Sequence, residues 1–191
     1  MKKYIILITL TLLALMVGLC ARKAEPVSAE KSFPVNPLIG TGGHGHVFVG
    51  ANVPHGMISV GPNNETLGWD WCSGYHDTDS TIIGFAQNHL SGTGVADLGE
   101  ILLMPYLGEP TFAAVLFDKN DQTVKPGYYS VKLMDDAITV ELTATERVAY
   151  HKYSKDSDLP LLVALDLETA TKSLMFRDGR QESEVSAIDE Y

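Results

Sequence analysis

The sequence predicts an all-β protein, an antiparallel two-layer β-sandwich. Short apolar segments recur from residue 33 onward with clusters of Gly, Pro, Asn or Asp between them, which is the spacing of strands and turns. Ile138-Thr139-Val140-Glu141-Leu142-Thr143-Ala144 alternates apolar and polar residues with period two, so one face packs inward and the other meets solvent. No stretch between residues 33 and 165 sustains apolar residues at i, i+3, i+4 and i+7, which argues against a helical core.

Taken in order, residues 1–20 form a targeting segment. Lys2 and Lys3 give a basic start, and residues 4–19 are an apolar run without a charge, shorter than the roughly 20 residues of a stable membrane span. The run ends in Val17-Gly18-Leu19-Cys20. This resembles a bacterial lipobox, in which Cys20 becomes a lipidated N-terminus, although Leu19 stands where a small residue is usual. Ordinary cleavage nearby, or after Val27-Ser28-Ala29, is the alternative. Residues 21–32 are small and charged and read as a tether, and residues 33–191 form the folded domain. Within it, strands are expected at 47–49, 57–60, 81–86, 101–104, 128–133, 138–144 and 161–165. Lys125-Pro126-Gly127 precedes 128–133, and Asp135-Asp136 lies between 128–133 and 138–144, so these two runs form a hairpin. The tail from 169 to 191 is polar with weak strand signals. An edge ending at Ala187-Ile188-Asp189-Glu190-Tyr191 would want a partner, so a fragment of a longer protein is expected.

Composition narrows the function. The 191 residues carry 14 Lys+Arg against 24 Asp+Glu, a formal charge of -10. That excludes a protein that tracks phosphates, which needs a basic surface, and nucleic acid is therefore not expected as a partner. Two cysteines, Cys20 and Cys72, cannot make a disulfide framework.

Three stretches are too rich in Gly, His, Trp and Asn for core building alone: residues 39–46, 68–76 and 88–94. Glycine lets backbone approach a ligand closely, and flat aromatic rings stack on the C–H side of a sugar while Asp, Asn and His bond its hydroxyls. Trp69 and Trp71 would share one face of an extended segment and form an aromatic wall. His44 and His46 would point the same way if extended, a pairing seen in metal sites, but no third ligand sits at a telling interval. Asp77-Thr78-Asp79 hints at calcium, yet Ile82 stands where an EF-hand loop requires glycine. Gly92-Thr93-Gly94-Val95-Ala96-Asp97 starts like a dinucleotide fingerprint and fails at Asp97, so it reads as a tight turn. Cys72 with His76 or His89 could form a nucleophile pair, and a buried, inert thiol is the simpler reading. Asn64-Glu65-Thr66 has the form of a glycosylation acceptor and reads as chance in a bacterial-type exported chain.

Taken together, VNPLIGTGGHGHVFVGANVPHGM, GWDWCSGYH, GFAQNHLSGTGVADLGEILLMP, KPGYYSVKL and ELTATERVAYHKY resemble the N-terminal region of glycoside hydrolase family 92, calcium-dependent exo-acting α-mannosidases. The resemblance covers residues 33 to 167 in order. It implies a galactose mutarotase-like supersandwich that packs against a C-terminal (α/α)6 domain, with the mannose pocket at their junction. It further implies an inverting hydrolysis, in which one carboxylic acid protonates the leaving oxygen and a carboxylate base activates water. Those carboxylates and the calcium ligands would lie in the helical domain, so no catalytic residue and no metal ligand is assigned here, and the chain alone is expected to be inactive. By motif position the substrate-binding residues would be Gly50 (backbone), Trp69 (stacking or hydroxyl-facing), Asp70 and His89. Expected partners are mannose-containing glycans and the helical domain. The expected location is the periplasm or cell surface, with membrane attachment if Cys20 is lipidated. The alternative is a non-catalytic carbohydrate-binding β-sandwich module, and a third reading is a sandwich serving only domain packing.

Overall fold

A computed structural model describes residues 35–95, 98–99, 101–109 and 113–166. The expected targeting segment with Cys20, the expected tether and the tail from 169 lie outside them. Eleven strands occur in this part: β1 Ala51–Asn52, β2 Ser59–Asn63, β3 Thr81–Ile82, β4 Gly84–Ala86, β5 Leu102–Leu107, β6 Val115–Leu116, β7 Thr123–Lys125, β8 Tyr128–Lys132, β9 Thr139–Ala144, β10 Ala149–Ser154 and β11 Leu161–Asp166. Single 3-10 turns stand at Trp69–Trp71 and Lys119–Asp121. No helix among the described residues is long and apolar enough to cross a membrane.

The strands form a five-stranded sheet in the order β1-β2-β4-β5-β11, a four-stranded sheet β10-β9-β8-β7 and a small pair β3-β6. Their pairings are antiparallel. The fold is the expected all-β sandwich. Its core joins Ala51, Val60, Phe85, Met104 and Tyr106 of the larger sheet to Tyr129, Val131, Val140 and Leu142 of the four-stranded one. The Phe85 and Tyr129 rings meet across it at 6.5 Å. Each such aliphatic or aromatic side chain contributes about 1.5–3 kcal/mol by leaving water.

The alternating segment is β9, and it pairs with β8 from Tyr128↔Thr143 to Lys132↔Thr139. Asp136 does more than turn the chain, because its Oδ2 accepts from Leu107 N at 2.9 Å and ties the hairpin to β5. Other expectations change. Residues 47–49 are irregular, and the pairing starts two residues later at β1. The single strand expected over 81–86 is split into β3 and β4, which belong to different sheets. The strands β6, β7 and β10 were not anticipated. The outer face of β2, where Ser59, Gly61 and Asn63 lie, is not left to solvent: the Phe48 ring and His89 cover it. That cover is where the site begins.

Candidate functional site

The three glycine-rich stretches converge at one residue, His46. Its carbonyl accepts the Gly92 N–H at 2.6 Å and the Ser73 hydroxyl. One hydrogen-bond acceptor thereby joins the loops 39–46, 68–76 and 88–94. Two residues on, Phe48 N donates to Ser91 Oγ at 3.2 Å, and the Phe48 ring stacks on His89 at 5.1 Å. Gly50 follows at φ 152, with its α-carbon so close to β2 that a Cβ would lie 2.1 Å from the Val60 carbonyl oxygen and 2.6 Å from the Phe48 ring. Only glycine fits this approach. The demand on Gly50 comes from strand packing, and the packing holds the His46 to Gly50 segment against the sheet.

Trp69 stands at the open side of this junction, 47% exposed. Its Nε1–H donates to the Gly94 carbonyl at 2.7 Å, and the His46 ring meets it edge-on at 4.2 Å and 71°. The indole is thus fixed at its polar edge and on one side while keeping exposed surface, the arrangement of an apolar platform with a polar border. Trp71 does not share that face. The pair lies in a 3-10 turn, not an extended strand, so the two side chains diverge. Trp71 Nε1–H instead donates to Asp79 Oδ2 at 2.5 Å, and its ring stacks on His76 at 4.4 Å. The aromatic wall reduces to one indole.

Between the tryptophans, Asp70 faces two imidazoles. Its Oδ1 lies 2.6 Å from His44 Nδ1 and 3.4 Å from His46 Nε2. The hydrogen bond from His44 holds the Asp70 carboxyl below the usual carboxylate range, with His46 pulling the same way. Asp70 is therefore an ionised acceptor at neutral pH, a poor proton donor for glycosidic cleavage. No group of three or more His, Cys, Asp or Glu side chains among the described residues is arranged to hold a metal ion; His44, His46 and Asp70 form a hydrogen-bonding cluster.

His89, the fourth candidate, is buried. Its Nδ1 donates to Ser59 O at 2.7 Å and its Nε2 lies 2.8 Å from Asn63 Oδ1. Burial pushes its pKa down to about 4, against a smaller opposing effect of the Ser59 hydrogen bond. Gly74, at φ 85, lies so close that a Cβ would sit 2.7 Å from the His89 ring. His89 is a strut linking β2 to the loops 68–76 and 88–94. Asn64 has the same character: its amide donates to Thr81 O at 2.5 Å and accepts from His76 N at 2.6 Å, so the acceptor motif is folded inside. Cys72 is buried and its thiol is pushed up by burial. Both His76 ring nitrogens are engaged, by the Thr78 hydroxyl and the Gly43 carbonyl, and not by the thiol. Sequence reasoning took Ser73 only as a polar neighbour of the tryptophans and Gly94 only as part of a tight turn, missed Asn63, and considered His46 only as half of a metal pair.

The chain is an antiparallel β-sandwich, a class of β-domain in which a rigid sheet scaffold carries loops, and here those loops hold the clustered aromatic and polar side chains. The chain belongs to the glycosyl hydrolase family 92 N-terminal domain family, whose profile matches residues 34–190. It is similar to an uncharacterized secreted glycosidase of Arthroderma benhamiae, 28% identical over 190 residues, which cover 90% of this chain and 23% of the relative. Among solved structures it is similar to a family GH92 α-mannosidase of Bacteroides thetaiotaomicron in complex with mannoimidazole, with 32% identity, a TM-score of 0.63 and coverage of 70% of this chain and 19% of that one. A family GH92 inverting mannosidase of Bacteroides thetaiotaomicron VPI-5482 gives 30% identity, a TM-score of 0.58 and coverage of 68% and 18%. The chain thus spans 18% to 23% of the length of these relatives.

Proposed function

We propose that the chain is the carbohydrate-contacting N-terminal half of an exported α-mannosidase that hydrolyses terminal α-mannosides of N-glycans or mannans with inversion. The observation that carries this reading is the exposed Trp69 indole, fixed by Gly94 and His46 beside an ionised Asp70. A hexose stacks its C–H face on such a ring and donates a hydroxyl to the adjoining carboxylate. Within this reading Trp69 and Asp70 touch the sugar, and Gly50 and His89 hold the loop that carries them. Similarity to a secreted glycosidase and to an inverting mannosidase supports export and the stereochemical outcome. Calcium belongs to the same proposal as a cofactor of the longer protein; the described side chains, which include no group of three or more His, Cys, Asp or Glu placed to hold a metal ion, do not fit it. Lipid attachment at Cys20 is tested by the mass of the mature N-terminus.

Two measurements test the reading. Methyl α-mannoside added to the chain should shift the Trp69 indole N–H resonance and leave Trp71 nearly still, and Trp69→Ala should weaken binding about tenfold or more, the scale of one lost stacking partner plus its area. An unmoved Trp69 signal sinks the proposal. The chain alone should release no mannose from an α-linked mannobiose, because Asp70 is held as an acceptor. Measurable release would overturn the assignment of catalysis to residues outside this chain.

A further inference from the structure

The cluster around Asp70 is asymmetric in a way that the proposed sugar contact does not explain. His46 Nε2 is sealed from solvent and has no aligned hydrogen-bond partner, and the His46 side chain is 5% exposed. A buried polar atom left in this state keeps the cost of its lost hydration with nothing to offset it. The ring cannot easily turn away, since the His46 carbonyl is fixed by Gly92 and Ser73 and its edge is packed on Trp69. Its nearest polar neighbour is Asp70 Oδ1 at 3.4 Å, and that oxygen is already engaged by His44 at 2.6 Å. His44 is 77% exposed, with only a tilted contact to Trp69 at 5.6 Å to hold it. Of the three groups, His44 alone can leave without disturbing buried packing.

We propose that Asp70 exchanges partners on binding: a sugar hydroxyl arriving over Trp69 displaces His44, and the carboxylate closes onto His46 Nε2–H, which makes His46 the positioning residue of the site. This rests on the reading of Trp69 and Asp70 as the sugar contact. The exchange leaves no donor unpaired and gives Asp70 one more hydrogen bond than before. Asp70 loses the His44 N–H and gains the His46 N–H, the ligand hydroxyl takes the vacated lone pair, and the displaced imidazole is hydrated. The stranded His46 nitrogen is satisfied only in the bound state, so part of the binding energy comes from a donor the ligand never touches. The arrangement selects a neutral polyol. A sugar acid would set a second carboxylate against the ionised Asp70.

The test is a methyl α-mannoside titration of the 191-residue chain, read from the two indole N–H signals that its 2 Trp residues provide and from imidazole nitrogen shifts. His44→Ala removes the competitor and should tighten binding, whereas His46→Phe keeps a ring edge against Trp69 but deletes the donor and should weaken binding, each by about fivefold, the worth of one hydrogen bond. In the unmodified chain, sugar should move the His46 Nε2 resonance to that of a hydrogen-bonded N–H and release the His44 Nδ1 signal. That readout needs no variant and stands if His46→Phe fails to fold. A Trp69 shift accompanied by equal weakening in both variants, or by a static His46 resonance, overturns the exchange and leaves the sugar site intact. No Trp69 shift at all removes the site and the exchange together.

Discussion

The four-stranded sheet β7 to β10 and the loop cluster at residues 39–50, 68–76 and 88–95 are held by opposite means. In the sheet, buried positions are apolar: Tyr129, Val131, Val140 and Leu142 point inward, while Ser130, Glu141 and Lys152 line up across the outer face, where Lys152 Nζ donates to Glu141 at 2.5 Å. In and beside the loops the chain buries Thr41, His46, Asn63, Asn64, Ser73, His76 and His89, all of the buried polar residues among those described. Apolar burial is non-directional and tolerates small shifts of shape. Buried hydrogen bonds fix direction as well as distance, and a half-satisfied set is costly. The lesson is a division of labour. The sheet supplies stability with latitude, and the loops give up latitude to hold one indole and one carboxylate in a defined relation.

The sharpest way to break this contrast is Gly50→Ala. A Cβ there would lie 2.1 Å from backbone oxygen that no side-chain rotation can relieve, so the His46 to Gly50 segment or β2 must shift. A loss of about 4 kcal/mol or more is expected in denaturant unfolding, or failure to accumulate folded protein. Gly68→Ala is the control within the same cluster. Gly68 has an extended backbone at φ 162 and nothing within 4 Å of an added Cβ, so its cost should stay within about 1 kcal/mol. Equal costs would mean that close approach is not what makes the loops intolerant.

Next in size is Leu142→Ala, which tests the sheet. Leu142 is fully buried in β9, and truncation should cost about 2–5 kcal/mol according to how far the core closes over the gap. The informative readout is the shape of the loss. Unfolding should shift as a whole, while the Trp69 indole resonance of the native state stays where it was, because the site is positioned by hydrogen bonds to His46 and Gly94 and not by the core. A moved Trp69 signal would show that the two regions are not mechanically separate.

The same division explains what could be read from sequence. The β8–β9 hairpin was legible because period-two alternation reports burial directly, in Val140 and Leu142 against Thr139, Glu141 and Thr143. β10 was missed because its inward positions are Ala149, His151 and Tyr153, too polar to register as an apolar stripe. The three loops were legible as composition, and Trp69 is exposed, but their geometry was not legible. Whether Trp69 and Trp71 share a face depends on a 3-10 turn closed by hydrogen bonds from Trp71 N to Gly68 O and Cys72 N to Trp69 O, and side-chain spacing carries no trace of it. His46 and His89 differ only in which acceptors the fold brings to them.

The smallest of these effects over a moderate pH range tests the loops without disturbing the sheet. His89 is neutral when folded, its pKa lowered from 6.5 to about 4 by burial. The unfolded chain therefore binds a proton between these values that the folded chain refuses, and stability falls as pH drops. The contribution is complete above the unfolded pKa and is lost as pH falls through the folded one. From about pH 7.5 to about pH 5 the loss should be on the order of 2 kcal/mol, with about 3 kcal/mol as the limit at lower pH. His151, also lowered by burial, adds to the slope with the same sign. Urea midpoints measured across this range should fall for the unmodified chain and fall less steeply for His89→Gln, even though that variant starts from lower stability because Ser59 and Asn63 lose their shared partner. Parallel slopes in the two proteins would mean that His89 is hydrated or charged in the folded state, and the strut joining β2 to the loops 68–76 and 88–94 would have to be sought elsewhere.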